Sequence, residues 1–158
     1  MRKIAPYSFI ITFVWFGFVC AISFMEAPVK FSAPLLTREA GLDTGRIVFA
    51  ALNKVEIAFS LLSIVFLYSG RFNNRIKFIF LFILIILSFQ SIWLLPALNE
   101  RALIIIGGKT PPDSGLHFIY IILEIIKVIG LFLLGLLQIN HFRSVSPKED
   151  MNKNAPAR

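Results

Sequence analysis

Four apolar stretches, each about as long as a membrane-crossing helix, alternate with polar connections along the chain. They cover roughly residues 6–25, 47–68, 76–95 and 116–139. A helix needs about 20 apolar residues to cross the hydrocarbon core of a bilayer, and a helix is the structure that satisfies its own backbone in lipid. The pattern therefore predicts an all-α integral membrane protein, in which residues 1–142 form a four-transmembrane-helix bundle.

The three connections between these stretches differ in length. The turn at 69–75 is short and polar, so the second and third helices are predicted to form an antiparallel hairpin. The connections at 26–46 and 96–115 contain prolines and glycines and are predicted to be two longer outer loops. Residues 143–158 are polar and are predicted to be a disordered cytoplasmic tail.

The basic residues indicate an orientation in the membrane. The side with both termini and the short turn carries more Lys and Arg than the side with the longer loops. The first set is Arg2, Lys3, Arg71, Arg75, Lys77, Arg143, Lys148, Lys153 and Arg158, and the second is Lys30, Arg38, Arg46, Arg101 and Lys109. Cytoplasmic loops of membrane proteins are enriched in these residues. We therefore expect a multi-pass protein of the cell (inner) membrane, with N- and C-termini in the cytoplasm.

The composition supports a lipid environment and argues against a nucleic-acid partner. Of the 158 residues, 57% are hydrophobic and only 16% are charged, and the mean hydropathy is +0.78. Soluble domains are about a quarter charged. The net charge of +7 comes from residues scattered over connections and ends. Attraction to anionic lipid head groups explains such a distribution, so the lipid bilayer is the predicted partner.

Cysteine and histidine are too sparse for thiol or metal chemistry within one chain. Cys20 is the single cysteine, which excludes an intrachain disulfide or a thiolate metal cage. The two histidines, His117 and His141, lie at opposite ends of one apolar stretch, roughly 36 Å apart at the helical rise. The sequence therefore predicts no metal site and assigns no cofactor.

Strongly polar residues interrupt the second and fourth apolar stretches and form stripes. On the fourth helix, His117, Tyr120, Glu124 and Lys127 fall within an arc of roughly 80° at 100° per residue. Arg46, Asn53, Glu56, Ser60 and Ser63 share an arc of about 100° on the second helix. Lys54 falls on the opposite face. Because charges within a membrane are costly, such stripes are expected to face the bundle interior.

The depths of these residues predict an ion pair. Glu56 and Lys127 each follow the beginning of their apolar run by nine residues, so on neighbouring helices they would lie at one depth and pair. Glu124 would then be a buried carboxylate without a charge partner, whereas in the structural interpretation it shares Lys127 with Glu56. A weak internal repeat is also visible, because Pro28 precedes Glu56 by the same 28 residues that separate Pro96 from Glu124.

These residues define a candidate ligand or ion pocket that opens outward. The pocket is predicted to contain Asn53, Glu56, His117, Tyr120, Glu124 and Lys127, with Glu26 and Arg101 at its mouth. Ionisable groups in membrane spans generally serve ions, protons or ligands, but they also fix the register of packed helices. Both interpretations stay open at this point.

One segment resembles a known family. It reads Phe24-Met25-Glu26-Ala27-Pro28-Val29-Lys30-Phe31 and is followed by Gly45 and Phe49. The segment, within the first 60 residues, resembles a family of four-helix bacterial membrane proteins of unknown function that is distantly similar to the copper-resistance protein D membrane domain. The resemblance implies a four-helix inner-membrane protein associated with metal handling. One cysteine, two separated histidines and three methionines are a poor set of soft ligands for copper.

Three classes of function are compatible with this sequence. The first is binding or transport of an ion, proton or small molecule in the polar pocket. The alternative is a structural accessory subunit of a larger membrane complex or a homo-oligomer, in which the charges join helices and Lys54 faces a partner. An enzyme would use the two glutamates as acid and base, but no nucleophile, metal or phosphate-loop motif supports this class.

Overall fold

The computed structural model describes residues 8–69 and 72–153. Four long helices make up most of this part of the chain: α1 (Ser8–Lys30), α2 (Arg38–Ser69), α3 (Asn74–Ile106) and α4 (Leu116–Lys153). All four are long and apolar enough to span a membrane. The predicted all-α membrane fold with four spans is therefore confirmed, and residues 6 and 7 of the predicted first span lie outside the described residues.

The four helices form a ring in which each packs against the next. The main contacts join α1 to α2, α2 to α3, α3 to α4, and α4 back to α1. Helices α1 and α3 run in one direction and α2 and α4 in the other. We call the end with the 31–37 and 107–115 connections the long-loop end, and the end with the short α2–α3 turn the hairpin end.

The helices extend further towards the long-loop end than the sequence predicted, so the two connections there are shorter. Pro28 and Pro96 were expected in loops but lie inside α1 and α3. Each follows a π-helical segment, Cys20–Glu26 in α1 and Gln90–Leu94 in α3, and stands in the first turn of the α-helical segment after it. Proline has no N–H and is tolerated at such a position, and the preceding wider turns accommodate the break in the hydrogen-bond ladder.

The last helix is also longer than its predicted span of 116–139. It continues to Lys153, so the segment predicted to be disordered is helical up to that residue, and residues 154–158 lie outside the described part. Residues 140–143 belong to the apolar span, which ends at Arg143.

The hairpin half of the bundle is filled by apolar side chains. Its buried core contains Trp15, Val19, Phe72, Ile76, Phe80, Ile83, Leu87, Leu131 and Leu134. Large apolar side chains are also exposed around the outside of the bundle, for example Phe78 and Ile92, which are 71% and 78% exposed. A helix that is apolar on all sides is typical of a membrane span, because its outer face contacts lipid.

The two halves of the chain share one pattern of burial. The buried positions of α1 are Ser8, Thr12, Trp15 and Val19, and adding 68 to each number gives the buried Ile76, Phe80, Ile83 and Leu87 of α3. The same shift relates the buried Leu52, Glu56 and Ser63 of α2 to the buried Tyr120, Glu124 and Leu131 of α4. The π-helical segments end at Glu26 and Leu94, again 68 apart. The repeat that the two prolines suggested therefore extends over both helix pairs.

Candidate functional site

Lys127 of α4 is the centre of a buried polar network at the middle of the bundle. Its Nζ atom lies 2.7 Å from Oε1 and 2.9 Å from Oε2 of Glu56, so the predicted ion pair between α2 and α4 is present. The same ammonium donates to Gln90 Oε1 of α3 at 2.9 Å. The Lys127 side chain has 0% exposure, so these partners replace water completely.

Glu124 has a charge partner, which agrees with the structural interpretation and not with the expectation of an unpaired carboxylate. Its Oε2 atom lies 2.9 Å from Lys127 Nζ, which is one turn further along α4. Gln90 Nε2 donates to the same oxygen at 2.9 Å, and Ser23 Oγ of α1 donates to Oε1 at 2.6 Å. The expectation failed because it gave Lys127 a single partner, whereas an ammonium has three protons to donate.

Trp15 belongs to the network although its position suggested packing alone. Its indole Nε1 donates to Glu56 Oε1 at 3.0 Å, and its side chain is fully buried. Each of the four helices therefore contributes to the network: Trp15 and Ser23 from α1, Glu56 from α2, Gln90 from α3, and Glu124 and Lys127 from α4. Removing Glu56, Glu124 or Lys127 leaves a buried polar atom of another residue without its partner, which is costly in a membrane interior.

A large cavity occupies the long-loop half of the bundle. It has a volume of about 910 Å³, is partly open, and is bounded by all four helices. Most of its lining is apolar, with aromatic rings such as Phe24, Phe31 and Phe49. Glu124 is the network residue of α4 that reaches this lining, while Glu56 and Lys127 lie beneath it. Its size and mainly apolar walls with a few polar groups are typical of small-molecule sites.

The predicted pocket residues fall into two groups. Asn53, His117, Tyr120 and Glu124 line the cavity. Asn53 Nδ2 donates to Ser91 Oγ at 2.6 Å, and the Tyr120 ring packs edge-on against Phe49, with ring centroids 5.5 Å apart. Glu56 and Lys127 do not line the cavity and lie in the buried network next to Glu124.

Neither predicted mouth residue is part of the lining. Glu26 pairs with Lys30 at 3.3 Å on the same turn of α1, and it is the lysine that lines the cavity. Arg101 lies on α3 next to Ala102, whose side of the helix faces the cavity. Both residues were predicted to lie in loops. They lie instead on the helical continuations of α1 and α3, on sides that do not line the cavity.

Lys54 also differs from expectation. The helical-wheel argument put it opposite the polar stripe of α2, facing lipid or a partner subunit. It lines the cavity together with its neighbour Asn53, because the cavity is wide enough to contact two adjacent faces of the helix. Within the described residues Lys54 forms no ion pair, whereas Lys30 pairs with Glu26 and Arg46 with Asp43, the latter at 2.6 Å.

The π-helical segments position residues that the sequence did not single out. Ser23 and Ser91 lie within these segments, line the cavity, and join it to the network and to Asn53. Serine in an apolar run gives a weak signal by itself. The signal that could have found them is their equal distance of five residues before Pro28 and Pro96.

The site has no clustered metal ligands. In the part of the chain that the structure describes, no group of three His, Cys, Asp or Glu side chains is close enough to hold a metal ion. The arrangement instead holds two carboxylates and one ammonium in a hydrogen-bonded unit beneath an amphipathic cavity. Such a unit can bind a positive charge, and the cavity can bind an organic molecule. Comparisons of the chain with protein-family models, with curated proteins and with solved structures found no match.

Proposed function

We propose that the protein is an outward-facing binding site for a small molecule or ion, in which the Glu124 network takes up a proton or a cationic group from the cavity. One observation supports this most directly. A buried unit with two carboxylates and one ammonium reaches the floor of the cavity through Glu124. If both carboxylates are ionised, the unit has one negative charge in excess.

An excess charge of this kind is unfavourable in a site excluded from water. Both carboxylates of the unit are almost fully buried, with Glu56 2% and Glu124 1% exposed. Burying a charge without full compensation costs several kcal/mol, so the unit favours binding one further positive charge. That charge can be a proton or the ammonium group of a ligand.

The cavity is closed towards the hairpin end. The packed core around Trp15, Ile83 and Leu131 lies between the network and that end. The structure therefore supports binding from the long-loop end, which the distribution of basic residues predicts to face the outside of the cell. Transport would require this core to open.

Infrared spectroscopy on the protein in phosphatidylcholine nanodiscs tests the proposal. We expect a protonated-carboxyl band at neutral pH in the wild type, since the unit then holds one proton. Glu124→Gln leaves one carboxylate with one ammonium and should remove the band. Lys127→Met leaves two carboxylates without an ammonium and should raise the band to about twice its size, because desolvation disfavours both charges.

Glu39→Gln is the matched control, because Glu39 is an exposed glutamate at the beginning of α2. It should leave the band unchanged. Transfer to D2O should shift the band quickly, because Glu124 contacts the cavity. Absence of a protonated-carboxyl band in the wild type, or its persistence in Glu124→Gln, contradicts the proposal and favours a purely structural network.

The accessory-subunit alternative makes a different prediction. Purification from membranes in a mild detergent should then yield a stoichiometric complex with a second membrane protein. The network itself is completed by the four helices of one chain, which is the observation that favours a binding site over a subunit joint.

A further inference from the structure

We infer that the cavity binds an amphiphilic anion, a molecule with a carboxylate or phosphate head and a hydrocarbon body, whose head pairs with Lys54. The inference rests on the proposed function insofar as the cavity is a ligand site. It adds the chemical class of the ligand and a recognition residue separate from the Glu124 network.

The charge on Lys54 has no counterpart within the described chain. It is the one cavity-lining lysine or arginine without an ion pair there, since Lys30 and Arg46 pair with Glu26 and Asp43. Lys54 also lies near the middle of the α2 span, which covers Arg38–Leu67. An ammonium at that depth is costly unless an anion accompanies it.

The carboxylates near Lys54 are already engaged. Glu124 shares its oxygens among Lys127, Gln90 and Ser23, and Glu56 lies under the floor, bonded to Lys127 and Trp15. The chain therefore provides no ion-pair partner for Lys54 among its described residues, and the anion has to come from the ligand.

The walls of the cavity indicate the rest of the molecule. From Lys54 towards the long-loop end, the lining consists mainly of aromatic and aliphatic side chains, including Phe24, Phe49, Leu95 and Leu98. An inorganic anion would leave this surface and most of the 910 Å³ volume unused. A hydrocarbon body fills it and gains about 25 cal/mol for each Å² of apolar surface removed from water.

The depth of Lys54 fixes the orientation of the ligand. Lys54 is the last cavity-lining residue along α2, and it lies deeper than Arg46 or Gly45. The head group is therefore bound at the bottom of the cavity and the hydrocarbon body extends towards the mouth.

Competition binding of tritiated laurate to the protein in phosphatidylcholine nanodiscs tests this inference. Dodecyl phosphate should displace laurate, whereas dodecanol, which has the same chain, should bind at least about tenfold more weakly, a difference of about 1.4 kcal/mol. Lys54→Gln should remove the preference for the anionic head, and Lys54→Arg should retain it. Lys77→Gln, at an exposed lysine near the hairpin end, is the matched control.

Phosphatidylglycerol added to the nanodiscs distinguishes the source of the ligand. Displacement of laurate that depends on Lys54 identifies a membrane lipid as the occupant, and no displacement identifies a free single-chain acid; both results support an amphiphilic anion. Equal competition by dodecanol, or unchanged laurate binding in Lys54→Gln, overturns the inference. It can fail while the Glu124-dependent infrared band remains, so its failure is distinguishable from that of the proposed function.

Discussion

Lys127 holds the two buried carboxylates together, and its loss differs in effect from the loss of one carboxylate. Without it, Glu56 and Glu124 lose their only described ion-pair partner. Loss of Glu56 is a different case, because Lys127 keeps Glu124 and the remaining pair is neutral. Glu56, Glu124 and Lys127 thus form one unit, and Glu124 is as much a part of it as Glu56.

The stabilities of variants of this unit should reflect that asymmetry. We expect Lys127→Met to lower the free energy of unfolding by about 3–5 kcal/mol, the usual cost of leaving a buried charge unpaired. Glu56→Gln should cost less. The double variant should lose clearly less than the sum of the two single variants, because the residues are in contact. Reversible unfolding in mixed detergent micelles measures all three, and strict additivity would show that Glu56 and Lys127 do not interact.

At the scale of single helices, the π-helical segments and the prolines after them shape the cavity half. They allow α1 and α3 to continue past Pro28 and Pro96, and they turn Ser23 and Ser91 towards the interior. In the hairpin half, small residues allow close packing instead. A Cβ atom on Gly135 of α4 would lie 2.7 Å from ring atoms of Phe13 on α1.

Substitution of this glycine should therefore disturb the α1–α4 contact. We expect Gly135→Ala to lower the free energy of unfolding by about 1–3 kcal/mol through overpacking. Phe13→Leu in the same chain should restore part of the loss by vacating the space. Gly17→Ala is the control, since a Cβ there meets nothing within 4 Å. Equal stability of Gly135→Ala and Gly17→Ala in thermal unfolding would mean that the close approach has no energetic role.

The number and type of helices could be predicted from the sequence because four apolar runs of spanning length leave few alternatives. The predicted helix ends were less accurate. Pro28 and Pro96 indicated the beginning of loops, because the sequence does not reveal the π-helical turns that precede them. For the site, periodicity identified Glu56, Glu124 and Lys127. Periodicity could not show that the one ammonium of Lys127 pairs with two carboxylates. It also could not show that the cavity is wide enough for Lys54 and Asn53, on different sides of α2, both to line it.

At the scale of the whole molecule, the two ends of the bundle differ in how their charges are arranged. At the long-loop end, Lys30 and Arg46 are offset by acidic neighbours on the same turn. At the hairpin end, Arg75 and Lys77 of α3 are exposed, and no acidic residue occurs in the first turn of that helix. This difference agrees with a cytoplasmic hairpin end.

Reporter fusions test the orientation directly. Fusions at Asn73 and after Arg158 should report the cytoplasm, and a fusion at Asp113 should report the outside. Alkaline phosphatase and green fluorescent protein provide complementary signals, because each is active on only one side of the membrane. An external signal from the Arg158 fusion would contradict the four-span topology.

The shared burial pattern of the two halves also bears on how such a chain could have arisen. A single helix pair with this pattern exposes its buried face and needs a second copy to cover it, so duplication and fusion of one gene would yield the present parallel arrangement. In the present chain the two glutamates are equivalent under the 68-residue shift, but the counterparts of Lys127, Gln90 and Trp15 are the apolar Phe59, Ile22 and Ile83. The residues that bind the two glutamates therefore break the equivalence of the halves, so the network cannot be symmetric.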